Sequence, residues 1–194
     1  HNLLADSAIP LPELGDATVH HGGLSALGRA AIAEMNRVGL LVDVSHASRD
    51  AMLQAAETSR VPIVATHTCC AALRAHPRNL DDGQLDALRE VGGLAQITAV
   101  PSFLRAGPKG EQTRATVADY ADHVDHAVRR VGIEHVGLSS DFDGGGGLTG
   151  WHDAAQTGNV TAELVRRGYG AREIGMLWSG NFVRLMRLAQ SAAG

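Results

Sequence analysis

Short apolar runs alternate with amphipathic stretches along the whole chain. Four of the apolar runs have the length of strands and lack polar alternation, which is typical of parallel strands buried on both faces. These runs are residues 39–44, 63–66, 94–100 and 136–139. Their order predicts four strands separated by helices.

The stretches between these runs show the spacing of amphipathic helices. In the first stretch, Leu24, Leu27, Ala31 and Met35 fall on one face at spacings of three and four, as expected for a helix packed on a core. Six helices are predicted, over residues 24–38, 48–58, 80–91, 117–131, 160–167 and 171–189. Strand–helix alternation favours an α/β fold with a parallel sheet. Four strands suit either an open sheet or half of an eight-stranded barrel.

The length of 194 residues predicts a single domain over residues 1–194. With 44% hydrophobic and 20% charged residues, the composition is that of a globular chain and excludes disorder, collagen and coiled coil. A net charge of −4 argues against nucleic acid as a partner. No apolar run approaches the about 20 residues of a membrane span. The adjacent Cys69 and Cys70 are interpreted as small buried hydrophobes, with a soft metal ligand as the alternative.

Ten histidines are many for this length, and histidine is a common metal ligand. His46 follows the first predicted strand and His67 follows the second, about one strand–helix repeat later. The carboxyl ends of neighbouring parallel strands meet on one rim, where α/β barrels build their active sites. The spacing therefore predicts two imidazoles on one metal ion. The alternative is two unrelated histidines in loops.

Three other residues are candidates on the same rim. Asp141, after the last predicted strand, could ligate a metal or transfer a proton, or it could merely cap the turn before the glycines. Arg78 offers a planar fork suited to a carboxylate, although surface arginines are common. Asp43, inside a predicted strand, is expected to be buried and to orient a neighbouring histidine. Six further histidines are interpreted as structural or solvated: His20, His21, His123, His126, His135 and His152.

Four motifs together resemble the membrane dipeptidase family, the renal-dipeptidase-like zinc metallopeptidases. They are Val-Asp-Val-Ser-His-Ala-Ser at 42–48, Ala-Thr-His-Thr at 65–68, His-Pro-Arg-Asn-Leu at 76–80 and Ser-Asp-Phe-Asp-Gly at 140–144. The likeness runs through essentially the whole chain. It implies a TIM-like (β/α)₈ barrel of the metallo-dependent hydrolases, with two zinc ions that share a bridging carboxylate.

The resemblance also implies roles for individual residues. His46 and His67 match the two histidine ligands of one zinc ion, after the fifth and sixth barrel strands. Asp141 matches the catalytic acid after the eighth strand, which lies near the substrate amino group. Arg78 matches the arginine that holds the substrate carboxylate, and His1 matches the histidine that contacts the scissile carbonyl. His1, Arg78 and Asp141 are thus the expected substrate-binding residues.

One departure from the family pattern changes these expectations. Family members carry a His-x-Asp pair after the first strand and a bridging Glu after the third, and neither has a counterpart here. His123-Val124-Asp125 spells the pair but falls within a predicted helix. The chain is therefore expected to be the C-terminal part of the barrel, with strands 5–8 and one histidine pair. Weak or no activity alone, and self-association at exposed sheet edges, are expected.

The function that the resemblance implies is zinc-dependent hydrolysis of small dipeptides through a water activated by a binuclear zinc centre. Two alternatives stay open: a non-catalytic truncated barrel that binds metal or a partner, and an amidohydrolase-like enzyme that acts on another amide. A homodimer is a further expectation. The sequence shows no localisation signal, and a cytoplasmic location is the default expectation.

Overall fold

A three-stranded parallel sheet forms the centre of the computed structural model, which describes residues 3–9, 20–107 and 113–194. The strands lie in chain order: β1 (Val64–Thr68), β2 (Leu94–Thr98) and β3 (Val136–Ser139). Each strand is connected to the next by a helical segment, as in successive right-handed strand–helix units. The predicted α/β class with a parallel sheet is confirmed.

The prediction of a full strand over residues 39–44 is wrong in its extent. This segment pairs with β1 through one parallel bridge, Asp43 with Val64. Val44 N–H donates to the Val64 oxygen (2.8 Å), and Val64 N–H donates to the Val42 oxygen (3.0 Å). The segment lies beside β1 in the predicted direction. Its other edge pairs with no strand among the described residues, so an extended ladder does not form on that side.

Eight α-helices are described, and side-chain caps define several of their first residues. Ser25 caps the first helix and Ser48 the second, each by accepting a backbone N–H three residues later. Asp81 with Gln84, and Thr116 with Asp119, form capping boxes. The helices are α1 (Ala26–Arg37), α2 (Arg49–Thr58), α3 (Asp82–Glu90), α4 (Pro101–Leu104), α5 (Val117–Val131), α6 (Thr157–Arg166), α7 (Ala171–Gly175) and α8 (Asn181–Ser191).

The last predicted helix, residues 171–189, is interrupted. A π-helical turn over Met176–Gly180 separates α7 from α8. Directly after this turn, the buried Asn181 side chain donates to the oxygens of Ile133 (2.7 Å) and Val136 (2.8 Å) at the start of β3. The regular helix is thus interrupted directly before the residue whose side chain connects α8 to the start of β3.

The two faces of the sheet differ in character. On one face, Ala65, Ile97 and Leu138 pack under the helices in the main core. On the other face, Val64 and Leu94 contact Leu185 of α8 in a small second core. Because successive strand residues point to opposite faces, the polar Thr66 and Gln96 follow on this second face, towards the carboxyl ends of the strands. That end of the sheet can therefore carry a polar site.

Helix length and polarity also bear on membrane insertion. Within the described ranges, no helix combines the length and apolar character needed to cross a membrane.

Candidate metal and substrate site

The structure brings His46 and His67 into direct contact at the carboxyl ends of the strands. Their Nε2 atoms lie 2.8 Å apart, and the ring centroids are 4.9 Å apart with the rings tilted by 58°. His46 follows the segment that bridges to β1, and His67 is the penultimate residue of β1. The neighbouring strand ends thus place two imidazoles at one point, as the strand–helix repeat predicts.

Hydrogen bonds hold His67 in place on the side of its Nδ1 atom. The Thr66 hydroxyl lies 2.9 Å from His67 Nδ1, and the same hydroxyl donates to Asp43 Oδ2 over 2.6 Å. Asp43 Oδ1 accepts from the Ser45 hydroxyl (2.6 Å) and from the backbone N–H groups of Ser45 (3.0 Å) and Thr66 (3.2 Å). Partial burial raises the pKa of Asp43, but these hydrogen bonds outweigh it and the net pKa is lowered. Asp43 is therefore held as a carboxylate.

The burial predicted for Asp43 is wrong for the residue as a whole, which is exposed, although its carboxylate is partly desolvated by the groups that bond to it. It belongs to the segment 39–44, which pairs with β1 on one side and has no strand on the other among the described residues. Its hydrogen bonds, rather than a covering layer of protein, fix its position. The expected link to a neighbouring histidine is present through Thr66.

Arg78 is buried beside the histidine pair. Its Nε–H donates to the Ser45 oxygen over 3.0 Å, and its guanidinium carbon lies 5.5 Å from the centre of the Phe103 ring. The second terminal nitrogen, Nη2, is buried without a hydrogen-bond partner among the described residues. Burial lowers the pKa of Arg78, opposed by the charges of Asp141 and Asp43. Such a fixed cation with an unused N–H₂ group is suited to an incoming carboxylate.

Asp141 follows β3 in a left-handed backbone conformation, with φ 54° and ψ 36°. The glycine loop folds back over it. The backbone N–H groups of Gly144 (3.0 Å) and Gly146 (2.7 Å) both donate to the backbone oxygen of Asp141. A Cβ at Gly146 would overlap the backbone oxygen of Ser140. Only glycine fits that approach. The glycines thus shape the loop that presents Asp141.

Burial, together with two neighbouring positive groups, favours the neutral form of His46. Burial lowers the pKa of His46, and the neighbouring Arg78 and His67 lower it further, while Asp43 and Asp141 oppose them. A neutral imidazole is the form that binds a metal ion. These effects also show that the charges of Arg78 and Asp141 reach the histidine pair.

The donor set fits zinc as a partial site. Two nitrogens at about 2.1 Å from one tetrahedral zinc ion lie about 3.4 Å apart, so the observed 2.8 Å between the Nε2 atoms needs only a small separation of the rings. Over residues 3–9, 20–107 and 113–194, no group of three or more His, Cys, Asp or Glu side chains forms a metal cluster. The pair therefore offers two of the four positions that zinc usually fills.

The remaining candidates from the sequence are not part of the site in the described residues. His1 lies outside the described residues. His123, in the His-Val-Asp triplet, is buried in α5, where its ring contacts the N–H of Cys70 (3.0 Å) and the oxygen of Leu104 (3.0 Å). Cys69 and Cys70 are free and fully buried, and burial raises the pKa of Cys70 to about 12. The interpretation of the two thiols as buried hydrophobes is supported.

Sequence reasoning missed Thr66, Ser45 and Phe103 as parts of this site. Thr66 and Ser45 are each adjacent in sequence to one of the two histidines, which is the one signal that could have drawn attention to them. Phe103 lies on the next strand–helix connection, and only the fold places it against Arg78.

Comparisons with known proteins identify relatives of this chain. The family model for "Membrane dipeptidase (Peptidase family M19)" matches residues 1–194. The chain is 36% identical over 194 residues to dipeptidase tcpJ of Claviceps purpurea (strain 20.1), and it spans 43% of the length of that relative.

Two solved structures are also similar. The probable dipeptidase PvdM from Pseudomonas aeruginosa matches with a TM-score of 0.93 and 34% identity, over 98% of this chain and 60% of PvdM. A metallopeptidase from Rhodobacter sphaeroides, liganded with a phosphinate mimic of the dipeptide L-Ala-D-Ala, matches with a TM-score of 0.81 and 32% identity, over 86% of this chain and 47% of its own. With a family match over its whole length, this chain belongs to the membrane dipeptidase family, peptidase family M19.

Proposed function

We propose that this chain forms the substrate side of a zinc dipeptidase site. His46 and His67 hold a zinc ion, Arg78 binds the substrate carboxylate, and Asp141 faces the substrate amino group and moves the proton. The observation that carries the proposal is the 2.8 Å convergence of the two Nε2 atoms beside a buried arginine with an unused N–H₂ group. The dipeptide mimic bound by the Rhodobacter sphaeroides relative supports a dipeptide substrate.

We also propose that the sheet is part of a (β/α)₈ barrel, in which segment 39–44 and strands β1 to β3 are strands 5–8. Support comes from the parallel order of the four segments and from the TM-score of 0.93 to PvdM, of which this chain covers 60%. The polar face that carries Thr66 and Gln96 would then line the barrel interior. In such barrels the active site lies at the carboxyl ends of the strands, where His46 and His67 lie.

Arg78 and Asp141 have separate roles in the proposed hydrolysis. Zinc, when bound, supplies Lewis-acid activation of the attacking water and of the scissile carbonyl. Arg78 fixes the substrate carboxylate through a charge-assisted hydrogen bond from its guanidinium, in which Nη2 has no partner among the described residues. Asp141 accepts a proton from the attacking water and delivers it to the leaving amine. Because Arg78 and Asp141 are fixed by their own loops, they hold both ends of the substrate and limit its length to a dipeptide.

The full ligand set is larger than the described residues provide. A second zinc ion and a bridging carboxylate belong to the proposal but have no counterpart in the described part of the chain. His1 is proposed to contact the scissile carbonyl. With one histidine pair in place, the 194-residue chain assayed alone is expected to hydrolyse dipeptides weakly, at a rate below the usual enzyme range of roughly 1–10³ s⁻¹.

Zinc affinity and zinc-stimulated hydrolysis of Ala-Ala test this proposal in three forms of the protein: unsubstituted, His67→Ala and His126→Ala. His126, on α5, contacts Asp82 and serves as the matched control. We expect His67→Ala to lose zinc binding and all hydrolysis, and His126→Ala to keep both. Unchanged zinc affinity in His67→Ala would overturn the metal site. Zinc binding through the pair without hydrolysis or dipeptide binding would favour the non-catalytic alternative.

The range of substrates separates the dipeptidase from an enzyme that acts on other amides. A dipeptidase that uses Arg78 and Asp141 as proposed should prefer Ala-Ala over N-acetyl-Ala-Ala, Ala-Ala-amide and tri-alanine. Equal rates on the blocked substrates would show that neither end is recognised and would favour an amidohydrolase-like activity.

A further inference from the structure

We propose that Asp43 and Thr66 act as a hydrogen-bond relay that fixes the tautomer of His67, with the proton on Nδ1 and the lone pair on Nε2. The inference rests on the proposed function for its purpose, since an Nε2 lone pair is what a metal ion requires. Its geometry is independent of any metal. Asp43 and Thr66 are thus positioning residues that act through His67.

The first step concerns the single proton of the Thr66 hydroxyl. Thr66 Oγ1 lies 2.6 Å from Asp43 Oδ2, the shortest of its contacts. Its other neighbours are the Ser45 hydroxyl at 3.2 Å and His67 Nδ1 at 2.9 Å. A carboxylate can only accept, so the 2.6 Å contact requires the Thr66 proton to point at Asp43.

The direction of the Thr66 proton determines which ring nitrogen of His67 carries a hydrogen. A hydroxyl that has donated its proton elsewhere can only accept at its remaining lone pairs. His67 Nδ1 must therefore carry a hydrogen and donate it to Thr66 over the observed 2.9 Å. A neutral imidazole has one N–H, so the lone pair of His67 is on Nε2, which faces His46 Nε2 at 2.8 Å.

The third step concerns the rigidity of the relay. Oδ1 of Asp43 accepts from the Ser45 hydroxyl and from two backbone N–H groups. The Ser45 hydroxyl in turn accepts the backbone N–H of His67 over 3.1 Å. The carboxylate is thereby fixed from three sides and ties the end of β1 to the segment that carries His46. The same partners that orient the ring also set the spacing between the two histidines.

The relay predicts a measurable proton position in the metal-free protein. In ¹⁵N-histidine-labelled protein treated with a chelator, two-dimensional ¹H–¹⁵N correlation of the rings should show His67 as a single Nδ1–H tautomer. Thr66→Val removes the acceptor without a large change in volume and should give a mixture of tautomers. Thr66→Ser should restore the single tautomer. Asp43→Ala should resemble Thr66→Val, because it frees the Thr66 proton to point at His67.

A control separates the relay from a general loss of polar groups. Ser139→Ala removes a hydroxyl at the end of β3 that has no hydrogen bond to either histidine within the described ranges, and it should leave the tautomer unchanged. Circular dichroism of each variant confirms that it is folded. An Nε2–H tautomer in the unsubstituted protein, or a tautomer that Thr66→Val and Asp43→Ala leave unchanged, would overturn the relay.

Zinc affinity gives the second readout. Second-sphere partners of this kind typically change metal affinity by about 10–100-fold, so competition with a chromophoric chelator should show a loss of that size in Thr66→Val and Asp43→Ala, with Thr66→Ser near the unsubstituted protein. If the unsubstituted protein holds the Nδ1–H tautomer but binds no zinc, the proposed metal site fails while the relay stands. If it binds zinc with equal affinity in all variants and Thr66→Val and Asp43→Ala also keep the Nδ1–H tautomer, the relay fails while the metal site stands.

Discussion

Arg78 donates through its Nε–H to the backbone oxygen of Ser45, the residue directly before His46, over 3.0 Å. The proposed carboxylate-binding group is thereby connected to the backbone that carries a proposed metal ligand. The guanidinium is also packed on the Phe103 ring, with its carbon 5.5 Å from the ring centre. This hydrogen bond holds Arg78 at a fixed distance from the backbone that carries His46.

The first prediction concerns Arg78→Lys. Lysine keeps the positive charge but loses the planar fork and the Nε–H bond to Ser45, so kcat/KM for Ala-Ala should fall about 10–100-fold, corresponding to about 1.4–2.7 kcal/mol, mainly through KM. The amide of the same dipeptide, which lacks the carboxylate, should lose much less. Steady-state kinetics on both substrates measure the difference.

Arg49→Lys is the matched control for this substitution. Arg49 is exposed and pairs with Asp81 over 2.8 Å on the outside of the fold. The substitution Arg49→Lys should leave kcat/KM for both substrates unchanged. An equal loss on the dipeptide and its amide in Arg78→Lys would show that Arg78 supports the fold rather than the carboxylate.

The second prediction concerns Asp141→Asn. Asparagine tolerates the left-handed backbone that Asp141 adopts, so thermal stability should change little. Removal of the proton-accepting carboxylate should lower kcat about 10²–10⁴-fold. Asp143→Asn, at an exposed position of the same loop, should keep its activity. A kcat loss of equal size in both variants would assign the effect to loop charge rather than to proton transfer by Asp141.

The fold could be predicted from the sequence where local pattern and packing agree. The bounds 117–131 and 136–139 are confirmed for α5 and β3, because a capping box, a helical apolar stripe and a buried run all act locally. Residues 39–44 were predicted as a strand from the same kind of run, yet they form one bridge. The missing information is the neighbour, since a ladder depends on a partner strand that a local pattern does not contain.

Only some residues of the candidate site could be predicted from the sequence. The meeting of His46 and His67 follows from the length of one strand–helix repeat, and the structure places their Nε2 atoms in contact. Thr66 was not identified because its contribution depends on the direction of one hydroxyl proton between Asp43 and His67. The fork of Arg78 suggested a carboxylate, but its packing on Phe103 depends on the path of a loop that apolar periodicity does not specify.

The third prediction concerns the glycine loop. A Cβ at Gly146 would overlap the Ser140 backbone oxygen, so Gly146→Ala must displace the loop that holds Asp141. A misplacement of about 1 Å at a reacting group can cost about 100-fold in rate, and kcat should fall by that order. Gly158→Ala, where nothing lies within 4 Å of the added atom, is the control and should keep full activity. Normal kcat in Gly146→Ala would show that the loop position is not important for the reaction.

The fourth prediction concerns the buried His123. Its ring satisfies the Cys70 N–H and contacts the Leu104 oxygen inside the core. His123→Ala leaves both groups unpaired and opens a cavity, so the free energy of unfolding should fall by about 2–4 kcal/mol. His126→Ala, on the same helix with a partly exposed partner in Asp82, should cost about 1 kcal/mol or less. Urea unfolding of both variants provides the comparison, and similar losses would contradict a structural role particular to His123.

The last prediction concerns the acid stability given by Glu163. Hydrogen bonds from Arg166 (2.6 and 2.7 Å), opposed by burial and aided by Arg167 (2.8 Å), lower the pKa of Glu163 to about 2. A carboxyl group whose pKa is lower in the folded state stabilises fully above its unfolded pKa, near 4.5, and this stabilisation is lost as the pH falls towards 2. Relative to Glu163→Gln, the unsubstituted protein should therefore be more stable at pH 7, by at most about 1 kcal/mol because part of the network faces solvent.

The pH dependence of that difference distinguishes an ion pair from a packing effect. Urea unfolding at pH 7, 4 and 3 should show the advantage over Glu163→Gln shrinking between pH 4.5 and 2, since protonation removes the charge that attracts Arg166 and Arg167. Glu57→Gln, at an exposed glutamate without an ion pair within the described ranges, should show no such trend. A difference between the unsubstituted protein and Glu163→Gln that stays constant with pH would mean that Glu163 contributes through its shape and not through its charge.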